Sequence, residues 1–279
     1  MPGTLYIVAT PIGNLEDITL RALRVLKGVN LIAAEDTRHT QILLSHFGIR
    51  TPLTSYHEHN ERTKARQLIE RLQRGESIAL VSDAGTPAIS DPGFRIVVEA
   101  VAAKIAIVPV PGAAALTAVL SAGGLPTDRF IFEGFLPAKQ KERRARLQVL
   151  SVETRTLVFY EAPHRLKETL NDMQSILGER ELVLAREVSK AYEEFLRGRL
   201  SNIIQQVAER AIKGEITLLV RGSEEPPAIS PEQLKNEIDL LKAEGMGVKE
   251  IARLLGEQHA YSKKEIYRIA LAQKRSTTP

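Results

Sequence analysis

The chain contains no cysteine, which removes disulfides, zinc–thiolate sites, iron–sulfur clusters and thiol nucleophiles together. No apolar run approaches the roughly 18 to 20 residues that a membrane-spanning helix requires. Met1-Pro2-Gly3-Thr4 leads almost directly into an apolar, β-branched run. That leaves no room for a signal peptide, so a cytoplasmic protein is expected. Histidines number six, and the pair His57 and His59 has no further ligand in register, so no metal site is expected. What is present is a balanced globular composition, 43% hydrophobic and 26% charged, in 279 residues, enough for two domains with cores of their own. The formal net charge of +4 resides in one stretch, Lys139 to Arg146, with five basic residues against one acidic. The rest of the chain is balanced, and a run that carries the whole excess favours a polyanion partner over a merely solvated helix face.

A second local absence lies in the stretch from Ser82 to Gly93. Ile78 to Val81 reads as a buried strand, and Phe94 opens an apolar helix. Between them run small residues with no lysine or arginine. Such a loop stands at the carboxyl end of a strand, where open α/β sheets bind ligands. Gly85 and its alanine neighbours allow close approach to the backbone, and Asp83 offers an acceptor. A polyphosphate site would supply a cation, so the loop suits a neutral or positively charged ligand. Asp91-Pro92 reads as a helix start, a capping carboxylate followed by a proline in the first turn. Pro111 to Ala118 repeats the pattern after another strand. Two such junctions point to one ligand lying against backbone.

Taken in order, Leu5–Ala9, Leu31–Ala34, Ile78–Val81, Ile105–Val110, Phe130–Gly134, Thr156–Tyr160, Glu181–Ala185 and Ile216–Val220 have the composition of strands. Helical patterns lie between them: after Asn14 or Asp17 as N-cap, over Asn60–Gly75, from Phe94 to about Ala103, and near 164–177 and 201–213. The chain divides into an N-terminal α/β domain (1–112), a second α/β domain (113–222), a linker (223–230) and a helical tail (231–279). In the tail Pro231–Ala243, Val248–Leu255 and Lys263–Gln273 are helical, and the last two resemble a helix-turn-helix, with a helical cap or dimer contact as the equal alternative.

Leu5–Leu15, Ala34–Arg38, the 82–93 loop, Phe132–Pro137 and Phe159–Leu166 together resemble the tetrapyrrole methylase superfamily. Within it they are similar to the bacterial enzymes that methylate a cytidine 2′-hydroxyl of 16S ribosomal RNA. The likeness covers essentially all of residues 4–222. It implies two α/β domains of tetrapyrrole-methylase type with S-adenosylmethionine in the cleft between them, a C-terminal helical extension and a homodimer. The implied partner is 16S rRNA in the small ribosomal subunit. Ala84-Gly85-Thr86-Pro87 takes the place of the superfamily's Gly-Gly-Asp-Pro loop, with Ile89 at the apolar position that follows. Thr86 stands where the wider superfamily keeps its aspartate, and Asp83 precedes the loop. The match of Pro111-Gly112 sets Ala114 and Ala115 beside the cofactor. Pro11 joins the set from the first-strand segment, and Tyr160 and Thr217 match second-domain positions that close over it.

Methyl transfer from a sulfonium is an in-line displacement, for which alignment in a dry cleft is the main requirement. A ribose hydroxyl is a poor nucleophile and benefits from a general base. Asp36, His39, Glu133, Glu161 and His164 stand at or near expected strand ends, and the Asp36–His39 segment is favoured, with structural capping the alternative for each. Phosphate contacts are expected from Arg38, Lys139, Lys141, Arg143, Arg144 and Arg146, with Lys249, Lys263 and Lys264 of the tail. A tetrapyrrole or other small-molecule methyltransferase, and a non-catalytic RNA-binding or assembly protein, are the alternatives. The basic cluster and the tail favour the RNA methyltransferase.

Overall fold

In the computed structural model, which describes residues 1–224, 229–259 and 261–272, two five-stranded sheets follow one another along the chain. The first comprises β1 (Thr4–Val8), β2 (Leu31–Ala34), β3 (Leu53–Ser55), β4 (Ile78–Val81) and β5 (Ala106–Val110), in the order β3-β2-β4-β1-β5. Every pairing in it is parallel. The central strands are continuous apolar runs because both faces are covered. Leu5, Ala33, Ile78 and Leu80 pack with residues of α3 (Glu61–Gln73) and α4 (Phe94–Ala102). Val8, Ile32, Ala34 and Val81 pack with residues of α1 (Leu20–Gly28) and α2 (Thr37–His46). A parallel sheet has all its carboxyl ends at one edge, so the loops after β1, β2, β4 and β5 gather there.

The second sheet is mixed: β6 (Phe130–Phe135), β7 (Thr156–Glu161), β8 (Glu181–Arg186), β9 (Glu194–Arg199) and β10 (Ile216–Val220), in the order β6-β7-β10-β8-β9. Only β6 and β7 run parallel. The larger core lies under α6 (Gln140–Leu150), α7 (Leu166–Leu177) and α8 (Leu200–Ala208). On the other face Val119 and Leu120 of α5 (Ala115–Gly123) pack against Val158, Val183 and Leu219. Because α5 belongs to this second core, the chain crosses between domains at residues 111–114.

The tail folds around a core of its own, with Leu234 and Ile238 of α9 (Pro231–Ala243), Ile251 and Leu255 of α10 (Val248–Gln258) and Ile266 of α11 (Lys263–Ala272). Ser230 and Gln233 form a reciprocal capping box at its start, with Pro231 in the first turn. Linker residues 225–228 and Gln273 lie outside the described residues. No helix among the described residues is long and apolar enough to cross a membrane.

Several local readings are corrected. Asn14 caps only a 3₁₀ turn, Leu15–Asp17, and α1 starts behind Thr19, whose hydroxyl accepts from the Ala22 amide at 3.0 Å. The polar segment after β2 winds into α2, and α8 stops at Ala208 rather than 213. The basic run is the amphipathic helix α6, and Arg143 faces inward with a side chain 1% exposed. Its Nε donates to Asp172 Oδ2 at 2.8 Å, while Arg144 takes Oδ1 at 2.8 Å. Burial works to raise the Asp172 carboxyl, but bonds from Arg144 and Arg143 bring it below the ordinary range. Arg143 is therefore a structural cation joining α6 to α7, not a phosphate contact.

Replacing Arg143 by alanine leaves Asp172 buried with Arg144 and a long 3.5 Å bond from Gln140 on its other oxygen. Arg143→Ala is expected to lower the unfolding free energy by about 3 kcal/mol, the lower end of the cost of breaking a buried pair. Lys141→Ala, on the solvent side of the same helix, should stay within about 0.5 kcal/mol of the parent. Urea melts of the two variants check both values.

Candidate functional site between the two domains

The carboxyl-end loops of the first sheet face the second domain across a cavity of about 390 Å³. The 82–93 loop forms its floor, and it is held to β1 by reciprocal bonds. Thr10 N donates to Gly85 O at 2.9 Å, and Gly85 N to Thr10 O at 3.1 Å. The buried Thr10 hydroxyl adds a bond to Ser82 O at 3.1 Å. Gly85 at φ +81° supplies the left-handed turn the pairing needs. Beyond it Ala88 (φ 68°) and Ser90 (φ 63°) adopt the same region with side chains attached, a strain of order 1–3 kcal/mol each that the surrounding contacts must hold.

Asp83, Ala84, Gly85, Thr86 and Ile89 line this cavity, and so do Ala114 and Ala115 at the start of α5. The two small-residue loops touch directly, since the Thr86 hydroxyl donates to Ala113 O at 3.3 Å. From the second domain come Tyr160 and Thr217, which face each other in the antiparallel register of β7 and β10. Burial raises the Tyr160 phenol above its ordinary value. Pro11 does not line this cavity. It lies in an adjoining one of about 240 Å³ with Gly13, His39, Thr40 and Ser82, and Asp83 forms a wall of both.

The base assigned to the Asp36–His39 segment is not supported by the geometry. Asp36 N-caps α2 through the Arg38 amide at 2.8 Å, and its carboxylate is gripped by the Arg38 guanidinium at 2.7 Å. Those bonds hold it well below the carboxylate range, which makes it a weak acceptor. Neither Asp36 nor His39 lines the main cavity, and His39 is exposed on α2. Glu133 is locked by Arg146 through two 2.7 Å bonds. Glu161 does line the cavity, but its oxygens accept from the Ala162 amide, Arg165 and Thr169 at 2.6–2.9 Å. His164 is exposed and off the cavity wall.

Some lining residues escape the sequence argument. Phe135 reaches the cavity because β6 is irregular between Phe132 and Gly134, and a strand-interior glycine is the signal that marks such a bulge. Glu35, Asp91 and Glu215 also reach it. Burial raises the Glu35 carboxyl, with the charges of Asp83 and Asp36 adding to the effect. Asp91 is pushed up to about 6 by burial and by its neighbour Glu35, with Asp83 and Glu215 adding to it. No lysine, arginine or histidine is among the residues lining the cavity.

Of the remaining expected contacts, Arg38 is bonded to Asp36 and exposed. Lys139 is 82% exposed beside Glu142 at 3.3 Å, and Lys141 is exposed. Arg144 and Arg146 are half-exposed but engaged with Asp172 and Glu133. In the tail Lys249, Lys263 and Lys264 are exposed, Lys263 with its stem against Gly256.

Residues 4–204 match the model of the tetrapyrrole (corrin/porphyrin) methylases. A Pseudomonas aeruginosa protein named ribosomal RNA small subunit methyltransferase I is 54% identical over 275 residues, covering 96% of this chain and 97% of its own. A Synechocystis protein of the same name is 49% identical over 272 residues, covering 96% of this chain and 98% of its own. Among solved structures, uroporphyrin-III C-methyltransferase from Thermus thermophilus complexed with S-adenyl homocysteine superposes with a TM-score of 0.55 at 19% identity, over 78% of this chain and 97% of that one. With its two sheets, its interdomain cavity and this likeness over nearly its whole length, the chain belongs to the tetrapyrrole methylase family, in the branch of the ribosomal RNA small subunit methyltransferases I.

Proposed function

We propose that the protein transfers the methyl group of S-adenosylmethionine to the ribose 2′-hydroxyl of a cytidine in 16S rRNA of the small ribosomal subunit. The observation that carries the reading is the charge of the interdomain cavity, whose lining residues include five carboxylates and no cation. A sulfonium and an ammonium are stabilised by such a wall, whereas a polyphosphate or a polycarboxylate is repelled by it. The fit is also steric. The volume is that of a small-molecule site, and Ala84, Gly85, Ala114 and Ala115 leave backbone accessible on two sides. These residues, with Thr86, Ile89, Tyr160 and Thr217, would hold the cofactor, which supplies an electrophilic methyl when bound.

The relatives named as ribosomal RNA small subunit methyltransferase I support RNA as the acceptor. The exposed Lys139 and Lys141 at the start of α6 and the exposed lysines of the tail are the phosphate contacts of this reading. A homodimer belongs to it as well. Phe94, Val98 and Val101 lie exposed along one face of α4, an apolar stripe suited to a second copy.

Labelled S-adenosylmethionine supplied together with small subunits, naked 16S rRNA and tetrapyrroles should leave its label on a ribose oxygen of the RNA. Label found in the tetrapyrrole would overturn the RNA assignment, and failure to bind the cofactor in calorimetry would overturn the enzymatic one. A Lys139→Glu, Lys141→Glu double variant is expected to bind RNA more weakly. Its logarithmic salt dependence should be shallower by about 1 per lysine, with cofactor affinity unchanged. Unaltered salt dependence would remove α6 from the RNA contact.

A further inference from the structure

Asp91 has the sequence of a helix cap and does not act as one. The N-cap of α4 is Gly93, with no side-chain bond, and the Ile96 amide donates instead to the buried Tyr56 hydroxyl at 3.3 Å. The positive φ values of Ala88, Ser90 and Gly93 carry the chain around this corner and leave the Asp91 carboxylate on the cavity wall. The other carboxylates on that wall are engaged. Glu161 is bound by Arg165, Asp83 accepts the Asp36 amide at 3.0 Å, Glu35 accepts the Asp83 amide at 3.3 Å, and Glu215 meets Lys190 at 3.2 Å. Among the described residues Asp91 takes no bond from an arginine, a lysine or a backbone amide.

We propose that Asp91 is the catalytic residue that accepts the proton of the ribose 2′-hydroxyl during methyl transfer, an inference that rests on the proposed function. The hydroxyl oxygen forms its bond to the methyl carbon as the carbon–sulfur bond breaks. The sulfur keeps that electron pair and leaves as neutral S-adenosylhomocysteine, and the hydroxyl proton passes to the Asp91 carboxylate. Charge balances, because the positive sulfonium and the negative carboxylate become a thioether and a neutral acid. The groups facing Asp91 are Glu35 after β2, Asp83 in its own loop, the buried Ser82 hydroxyl, and Glu215 from the second domain. Asp91 in turn adds to the field on the Tyr160 phenol. Burial and the three acids set its carboxyl at about 6, and only the hydroxyl favours the charged form. Such a group is mostly ionised at neutral pH yet retains real basicity, the condition for an efficient general base.

The test is Asp91→Asn in the full-length protein. Turnover on small subunits should fall by about 10²- to 10⁴-fold, with S-adenosylmethionine affinity by calorimetry weakened far less than turnover, since four carboxylates of the wall remain. The parent's rate should rise through an acid limb near pH 6, and that limb should be missing from the variant. A second readout is independent of activity. The folded state holds the Asp91 proton more tightly than the unfolded chain does, so this group's contribution to stability falls as pH rises between about 4 and 6. The Asn variant should therefore melt above the parent at pH 8, and the gap should close as pH falls through that window. Turnover within a few fold of the parent overturns the proposal, as does a slow variant that keeps the acid limb, which would mark a positioning role. Should the variant not fold, carbon NMR of the parent's carboxyls decides, and an Asp91 titrating near 4 overturns it. Loss of cofactor binding in the parent would instead overturn the proposed function itself.

Discussion

Two backbone hydrogen bonds between Thr10 and Gly85 constrain everything that faces the cleft. They splice the loop after β4 to the loop after β1, the two strands that lie side by side at the centre of the first sheet. The pairing requires a left-handed residue, which Gly85 provides, and it shields Thr10 completely enough that its hydroxyl must also be bonded internally, to Ser82 O. Downstream of this fixed point the chain has few remaining conformations. Ala88 and Ser90 are held at positive φ because a loop fixed at Gly85 and entering α4 at Gly93 has only a few residues in which to reverse. The unfavourable angles are thus a consequence of the splice, and their effect is to place Asp83 and Asp91 on one wall.

The second domain contributes by contact rather than by chain geometry. Gly134 in β6 lies against the Ser90 hydroxyl, so a side chain there would push against the strained corner. Gly13 in the first domain lies under the stem of Lys190, whose ammonium is bonded to Glu187 and Glu215. Ser189 donates to Asp17 across the same seam. These contacts close the cleft at two places with polar groups already paired, which is how an interdomain surface can be well packed without being apolar.

The fold was legible wherever burial is continuous. β1, β2, β4, β7, β8 and β10 are apolar runs, and the pattern finds them because they lie between covered faces, while β5, an apolar strand at the sheet's edge with Ala106 and Pro109 exposed, is found by composition. β3 has three residues, and β9, Glu194–Arg199, is a charged edge strand whose Arg197 reaches back to Gly123 O, so neither carries a burial signal. The small-residue loops were readable as a ligand wall because glycine and alanine have few other reasons to cluster at strand ends. Charged side chains were the hard part. Asp36, Glu133 and Arg143 all looked available, and each is occupied by a partner, Arg38 within its own turn, Arg146 from α6 and Asp172 from α7. The last two pairings join elements that only the folded sheet brings together. Asp91 was misread for the complementary reason. Its Asp-Pro context is a genuine helix signal, but Tyr56, thirty-five residues earlier, takes the amide that a cap would have taken.

The distribution of charge then limits how an RNA can approach. The carboxylates around the cleft make its mouth repulsive to phosphodiesters, so a strand cannot lie along the cavity as it does in a basic groove. In the proposed reading attraction comes from outside the mouth, from the exposed Lys139 and Lys141 at the start of α6 and from the exposed lysines of α10 and α11. Only a sugar edge, uncharged and small, gains by entering. In the proposed reading the arrangement separates grip from chemistry: backbone phosphates meet exposed cations outside the mouth, and a single hydroxyl is admitted where the cavity lining has no cation. The same separation explains why the arginines nearest the cleft are tied to carboxylates. Arg38, Arg146 and Arg165 each neutralise an acid close to the site, which leaves the cavity wall with negative charge and no competing cation at the place proposed for the sulfonium.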